Sequence, residues 1–121
     1  MPHPDDSEFG CAGVVARWTR AGKRVVYVIL TNGDKGMSDR SLTPEKLAAI
    51  RQLEQREAAL VLGVKEVVYL GYPDQGLEDS PELRKDIVRQ IRLYRPDVVV
   101  TVDPYRRYIW HRDHRLSLIH I

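Results

Sequence analysis

Apolar and polar positions along this chain fall into blocks that switch between two periods. From residue 7 to residue 22 small and apolar side chains recur at helical spacing, with Phe9, Ala12, Val15 and Ala16 on one side. That spacing predicts a helix packed closely on a sheet. Asp5 followed by Glu8 fits a capping box at its start, and Gly22 fits a C-terminal cap. Residues 25–30 read VVYVIL, continuously apolar and rich in β-branched side chains, as a strand buried on both faces requires. The polar loop TNGDKG follows at 31–36, and low hydrophobicity persists to Ser41.

Thr43-Pro44-Glu45 opens the next helix with an N-cap and a proline at the first helical position. Leu47, Ile50, Leu53 (or Glu54) and Leu60/Val61 are its expected inner face, and Leu62-Gly63 closes it. Residues 67–70 read as a short strand and 71–76 as a second loop. Ser80-Pro81-Glu82 repeats the cap-and-proline signal, and Leu83, Ile87, Ile91 and Tyr94 form the apolar stripe of a third helix that Pro96 stops. Residues 97–102, DVVVTV, are the third predicted strand and lead into a loop bearing His111 and His114. Helix, strand, helix, strand, helix, strand implies right-handed crossovers and a mostly parallel sheet covered on both faces. The expected fold class is α/β, a Rossmann-like three-layer α/β/α arrangement in one domain over residues 1–121. A helix opening such a series should follow a strand, yet only Met1 and Pro2 precede His3, and seven residues follow His114. The domain is therefore expected to be partial, lacking its first strand and its C-terminal part. Residues 116–121 have neither cap nor amphipathic pattern, which leaves open whether they are native sequence or a non-native tail.

Composition narrows the function classes. With 43% hydrophobic and 30% charged residues the chain is globular in type. A net charge of +2, spread over scattered arginines and lysines, argues against nucleic acid or an anionic membrane as partner. The single cysteine, Cys11, rules out an internal disulfide framework and suits a reducing compartment, with the cytoplasm as default. No apolar run approaches the ~20 residues of a membrane helix. Nothing in the sequence specifies an oligomeric state.

The chemistry lies near the two ends. His3-Pro4-Asp5-Asp6-Ser7-Glu8 packs an imidazole, two adjacent carboxylates and a third acid into six positions, and His111-Arg112-Asp113-His114 forms the second cluster. In open α/β sheets ligands bind outside the carboxyl ends of strands, where such distant loops become neighbours. Two histidines and one carboxylate with an open position are a catalytic zinc set, in which the metal lowers the pKa of bound water to roughly 7. Ferrous iron accepts the same set. Asp5 and Asp6 would divide the work, one on the metal and one as general base. Spacing alone leaves open which does which.

PHPDDSE before a helix, TNGDKG after a strand and WHRDH after a later strand together resemble the PIG-L/LmbE-like de-N-acetylases. Arg51-Gln-Leu-Glu54, Ala58-Ala59, Leu62-Gly63-Val64 and Leu70-Gly71-Tyr72-Pro73-Asp74 are similar to that family too, so the likeness covers nearly the whole chain. The resemblance implies zinc held by His3, Asp6 and His114, with Asp5 as general base. It makes protonated His111 the oxyanion stabiliser and proton donor, with Asp113 behind it as orienting carboxylate. Arg51 and Asp74 fall where members contact the sugar or its aglycone. The implied reaction is hydrolysis of an acetamide on a small N-acetylated amino-sugar conjugate, releasing acetate and a free amine. Members also carry a hydrophobic strand before HPDD and continue well beyond H-x-D-H.

Plainer readings stand beside these. Asp5 and Glu8 would equally cap a helix, His111 and His114 would sit in a solvated basic patch, and Arg51 would pair with Glu54 or Glu57 on its own helix. Tyr105, Tyr108 and Trp110 would line a sugar site or simply pack, and His120 carries no assignment. A nucleotide-binding module is the non-enzyme competitor, but G-x-G-x-x-G is missing and the loop before the first helix is acidic, which repels phosphate. The remaining alternative is a fragment that holds metal without turnover.

Overall fold

The computed structural model describes residues 1–36, 41–103 and 111–116, the side chains of 115 and 116 excepted. Tyr105, Tyr108, Trp110, His120 and the tail at 117–121 lie outside the described residues. The elements are α1 (Asp6–Arg20), β1 (Val26–Thr31), α2 (Pro44–Val61), β2 (Glu66–Tyr72), α3 (Pro81–Tyr94) and the short α4 (Arg112–Leu116). β1 and β2 pair in parallel from Val26 opposite Glu66 to Thr31 opposite Tyr72, as a strand–helix–strand crossover demands. Val15, Tyr27, Ile29, Ala59 and Val64 pack together under α1 and α2, while Leu30, Leu77 and Leu83 form a second cluster beneath α3. The architecture is the expected α/β one.

The N-terminal residues behave as an incipient strand against the far edge of β1. The Met1 amino group donates to the Val28 carbonyl at 2.7 Å, and Leu30 N–H donates back to the Met1 carbonyl at 3.0 Å. Both the N–H and the hydroxyl of Thr31 then donate to the Pro2 carbonyl, each at 2.9 Å. His3 is thereby delivered to the carboxyl end of β1, which places the first polar cluster at the end of the sheet where ligands bind.

Helix ends follow the local chemistry in two cases and depart from it in one. Thr43 accepts from Lys46 N–H, and Ser80 accepts from Leu83 N–H, each with proline at the start of its helix. At α1 the expected capping box does not form. Asp5 has left-handed backbone (φ 97°) and makes no side-chain cap bond; its carboxylate is drawn off to Arg51 instead. The inner face of α1 is also rotated from expectation, with Ser7 and Val15 buried and Phe9 86% exposed.

The α2 face differs more. Its buried residues are Leu47, Gln55 and Ala59, with Arg51 half-buried between them, a strict four-residue stripe. Ile50, Leu53, Leu60 and Val61, expected inside, are all exposed. The strand expected at 97–102 is likewise not formed, and the segment has no ladder partner among the described residues. A groove of about 630 Å³, lined by Val26, Val28, Ile87, Ile91, Val98 and Val100, separates it from β1. With no ladder partner among the described residues the run stays irregular, and Val98, Val99 and Val100 remain exposed.

Candidate metal centre

Four segments converge at the carboxyl end of the sheet: the turn after Pro2, the loop after β1, the loop after β2 and α4. Gly33 lets the first two meet. Its φ is +66°, and a side chain there would meet the Pro4 ring at 3.1 Å. The Asp34 carboxylate then accepts from Asp74 N–H at 2.9 Å, tying the loop after β1 to the loop after β2.

His3 is the hub, and both faces of its ring are engaged. Nδ1 lies 3.3 Å from Nε2 of His114 and 3.4 Å from Oδ2 of Asp6. Nε2 lies 3.2 Å from Oδ2 of Asp113 and 3.1 Å from Oδ1 of Asp74. His114 Nε2 closes the first group at 2.9 Å from Oδ1 of Asp6. His111 packs edge-on against His3 with ring centroids 4.3 Å apart, its Nε2 3.6 Å from Asp74. Asp74, Asp113 and His114 are all buried.

Charge orders this cluster. Burial alone would lower the pKa of His3, but its hydrogen bond to Asp6 and the carboxylates of Asp6, Asp74 and Asp113 outweigh it, so the ring is held above its ordinary value. Burial would raise Asp6, yet hydrogen bonds from the His3 ring and backbone and the charges of His114 and His3 hold it below the usual carboxylate range. Burial and the neighbouring His3 charge push His111 down.

The donor set fits a metal ion. With its proton on Nε2, facing Asp113 and Asp74, neutral His3 turns the Nδ1 lone pair toward His114 and Asp6. Two nitrogens on one tetrahedral zinc at 2.0–2.1 Å stand roughly 3.3 Å apart, which is the His3–His114 separation. His3, Asp6 and His114 form one group able to hold a cation, and His3, Asp74, His111 and Asp113 a second that shares the His3 ring. The first contains two imidazole nitrogens and one carboxylate; the second would consume the Nε2 position that the carboxylates already occupy.

The residues singled out from sequence are distributed as follows. His3, Asp6, His111, Asp113 and His114 come together, and Asp74 joins the same cluster. The Asp113 carboxylate lies on His3, while only its backbone N–H reaches the His111 ring, at 3.4 Å. The Asp5 carboxylate is largely exposed, lies outside the His3–Asp6–His114 contacts, and accepts from Arg51 at 2.7 Å. Arg51 also donates to the Pro4 carbonyl and to Glu54. Three participants escaped sequence reasoning. Gln55 is buried among Asp5 and Glu8, Asp34 joins two loops, and the backbone N–H of Gln75 donates to Asp113 at 2.8 Å. A polar residue four positions after Arg51 on one helix face was the available signal for Gln55.

Comparison with known proteins bears on the family and the fold. Residues 1–117 match the PIG-L family, described as GlcNAc-PI de-N-acetylase. The chain is 40% identical over 114 residues to the diacetylchitobiose deacetylase of Thermococcus kodakarensis, covering 94% of this chain and 43% of that protein. It is 36% identical to a probable N-acetyl-alpha-D-glucosaminyl L-malate deacetylase 2 of Bacillus anthracis, covering 94% and 52%. The solved N,N'-diacetylchitobiose deacetylase of Pyrococcus horikoshii superposes with a TM-score of 0.93 at 42% identity, over 96% of this chain and 43% of that one. The chain thus spans about half the length of the curated relatives it matches. On the family match and on this fold, the chain belongs to the PIG-L family of de-N-acetylases.

Proposed function

We propose that this chain carries the metal centre of a zinc-dependent N-deacetylase acting on N-acetylglucosamine-type amides. The observation that carries the reading is the convergence of His3 Nδ1, His114 Nε2 and the Asp6 carboxylate within 2.9–3.4 Å of one another. These three residues would hold the ion, and ferrous iron suits them as well. Zinc held there supplies Lewis acidity, activating water at neutral pH and polarising the acetyl carbonyl.

The chain's own residues supply the rest. Asp5 accepts the proton of the attacking water; its carboxylate is solvent-facing and oriented by Arg51. His111 steadies the negative charge that develops on the carbonyl oxygen and protonates the departing amine. Asp113 orients His3, fixing the tautomer that leaves Nδ1 free to bind. Arg51 stays partly exposed beside Asp5, where a substrate presenting its acetamide would meet it. Asp74 is buried and acts through the charge it lends the imidazoles. The relatives' names, which speak of diacetylchitobiose and of malate- and inositol-linked N-acetylglucosamine, support small N-acetylglucosamine conjugates as the substrate class. No described helix is long and apolar enough to cross a membrane, and a cytoplasmic setting suits the unpaired Cys11.

Two measurements test the reading: metal stoichiometry of the purified chain and acetate release from N-acetylglucosamine conjugates. Asp5→Asn is expected to retain metal and lose turnover, and His114→Ala to lose metal. Unchanged activity in Asp5→Asn, or stoichiometric zinc in His114→Ala, would refute the assignment. Metal without acetate release would leave the chain as a metal-holding module.

A further inference from the structure

We propose that Gln55 is the positioning residue of Asp5, setting the backbone that separates the roles of two adjacent carboxylates. The inference rests on the deacetylase reading for its functional consequence. Gln55 is 2% exposed, in mid-helix on α2. Its side-chain Oε1 accepts from the Asp5 backbone N–H at 2.7 Å, and its Nε2 donates to both Glu8 oxygens at 2.9 and 3.0 Å. The amide can be oriented in only one way, because a backbone N–H needs an acceptor and a carboxylate needs a donor.

Asp5 is a non-glycine residue at φ 97°, ψ −25°, a conformation that costs of order 1–3 kcal/mol and persists only where its surroundings enforce it. The enforcement is visible on the α2 stripe. Gln55 holds the Asp5 amide, and Arg51, one turn earlier, holds the Asp5 carboxylate and the Pro4 carbonyl. The consequence is a divergence. Asp6 turns inward to His3 and His114 with a side chain 12% exposed, while Asp5 turns outward to Arg51 with one 66% exposed. Were residue 5 to relax to ordinary right-handed backbone, its carboxylate would leave this orientation while Asp6 kept its own hydrogen bonds. Gln55 therefore controls the base and not the ligand.

The test compares the parent chain, Gln55→Met and the double exchange Glu8→Gln with Gln55→Glu, each first checked for a cooperative thermal melt. The exchange swaps amide and carboxylate at conserved net charge. The carboxylate then at position 55 accepts from Asp5 N–H and from the amide at position 8. Gln55→Met is expected to keep zinc affinity within about threefold. Its kcat should fall at least thirtyfold with KM within threefold, and its Asp5 amide should exchange with solvent at least tenfold faster. The double exchange should restore both kcat and amide protection to within about fivefold of the parent. Parental kcat and parental Asp5 exchange in Gln55→Met would overturn the proposal, as would a double exchange no better than Gln55→Met. If the parent itself releases no acetate, the deacetylase reading fails, and the Asp5 amide exchange rates still decide whether Gln55 sets that backbone.

Discussion

Replacing Asp113 by asparagine separates two ways in which this carboxylate serves the site. The side chain is fully buried, and Oδ2 accepts from His3 Nε2 at 3.2 Å and from Gln75 N–H at 2.8 Å. Asparagine has nearly the same volume, and its carbonyl oxygen can accept the same two bonds, with the amide nitrogen taking the buried Oδ1 position. What disappears is the negative charge behind the imidazole. Losing a carboxylate of this kind from behind a ligating histidine costs about 10–100-fold in metal affinity, or about 1.4–2.8 kcal/mol at 1.4 per tenfold.

A second effect opposes it. Asp113 helps raise the His3 pKa, so its loss also weakens competition from protons, but only where His3 is protonated. The net loss of zinc affinity should therefore be larger at pH 8 than at pH 6. Competition against a chromophoric chelator at both values measures it. Affinity within twofold of the parent at pH 8 refutes the reasoning. If turnover alone then fell, Asp113 would be serving His111, as the sequence resemblance implied.

The remaining predictions address charge, packing and loop closure. Because the folded His3 pKa lies above its ordinary 6.5, the stability it lends the metal-free chain is full below about pH 6.5 and lost as pH rises through the raised value. Metal must displace that proton, so apparent zinc affinity should climb over the same window; a chelator titration that is flat from pH 6 to 8 would exclude this. Leu77→Ala empties a fully buried position between Leu30 and Leu83 and should cost about 2–5 kcal/mol in urea unfolding; a loss below about 1 kcal/mol would show that the cluster collapses to fill it. Gly33→Ala forces a left-handed residue against the Pro4 ring. It should weaken zinc binding severalfold, and unchanged affinity would mean that the loop moves without disturbing His3.

Much of this molecule was legible where local chemistry and tertiary packing agree. β1 and β2 were recognisable because buried parallel strands need long apolar runs, and α2 and α3 because their cap and proline signals are satisfied by the helix itself. The convergence of His3, Asp6 and His114 was legible because ligand chemistry restricts residue type. Sequence reasoning failed where a functional contact overrode a structural pattern. Asp5 looks like a cap, but Arg51 and Gln55 draw its carboxylate and its amide away. The buried stripe of α2 carries arginine and glutamine because it faces a polar loop, so hydrophobic periodicity selected the opposite side. Residues 97–102 have strand composition, yet a strand exists only by pairing, and this run has no ladder partner among the described residues. The partner of Asp113 turned on side-chain direction within α4, which spacing does not encode.

The valines beside the groove have a practical consequence for handling this polypeptide. Val98, Val99 and Val100 present adjacent β-branched surface to solvent next to a β1 flank that, among the described residues, Met1 and Pro2 alone engage by backbone hydrogen bonds. Such a flank can recruit foreign backbone, and apolar neighbours strengthen the attraction. Self-association of the purified chain should consequently grow with concentration, and a lysine in place of Val99 should suppress it without touching the imidazole cluster.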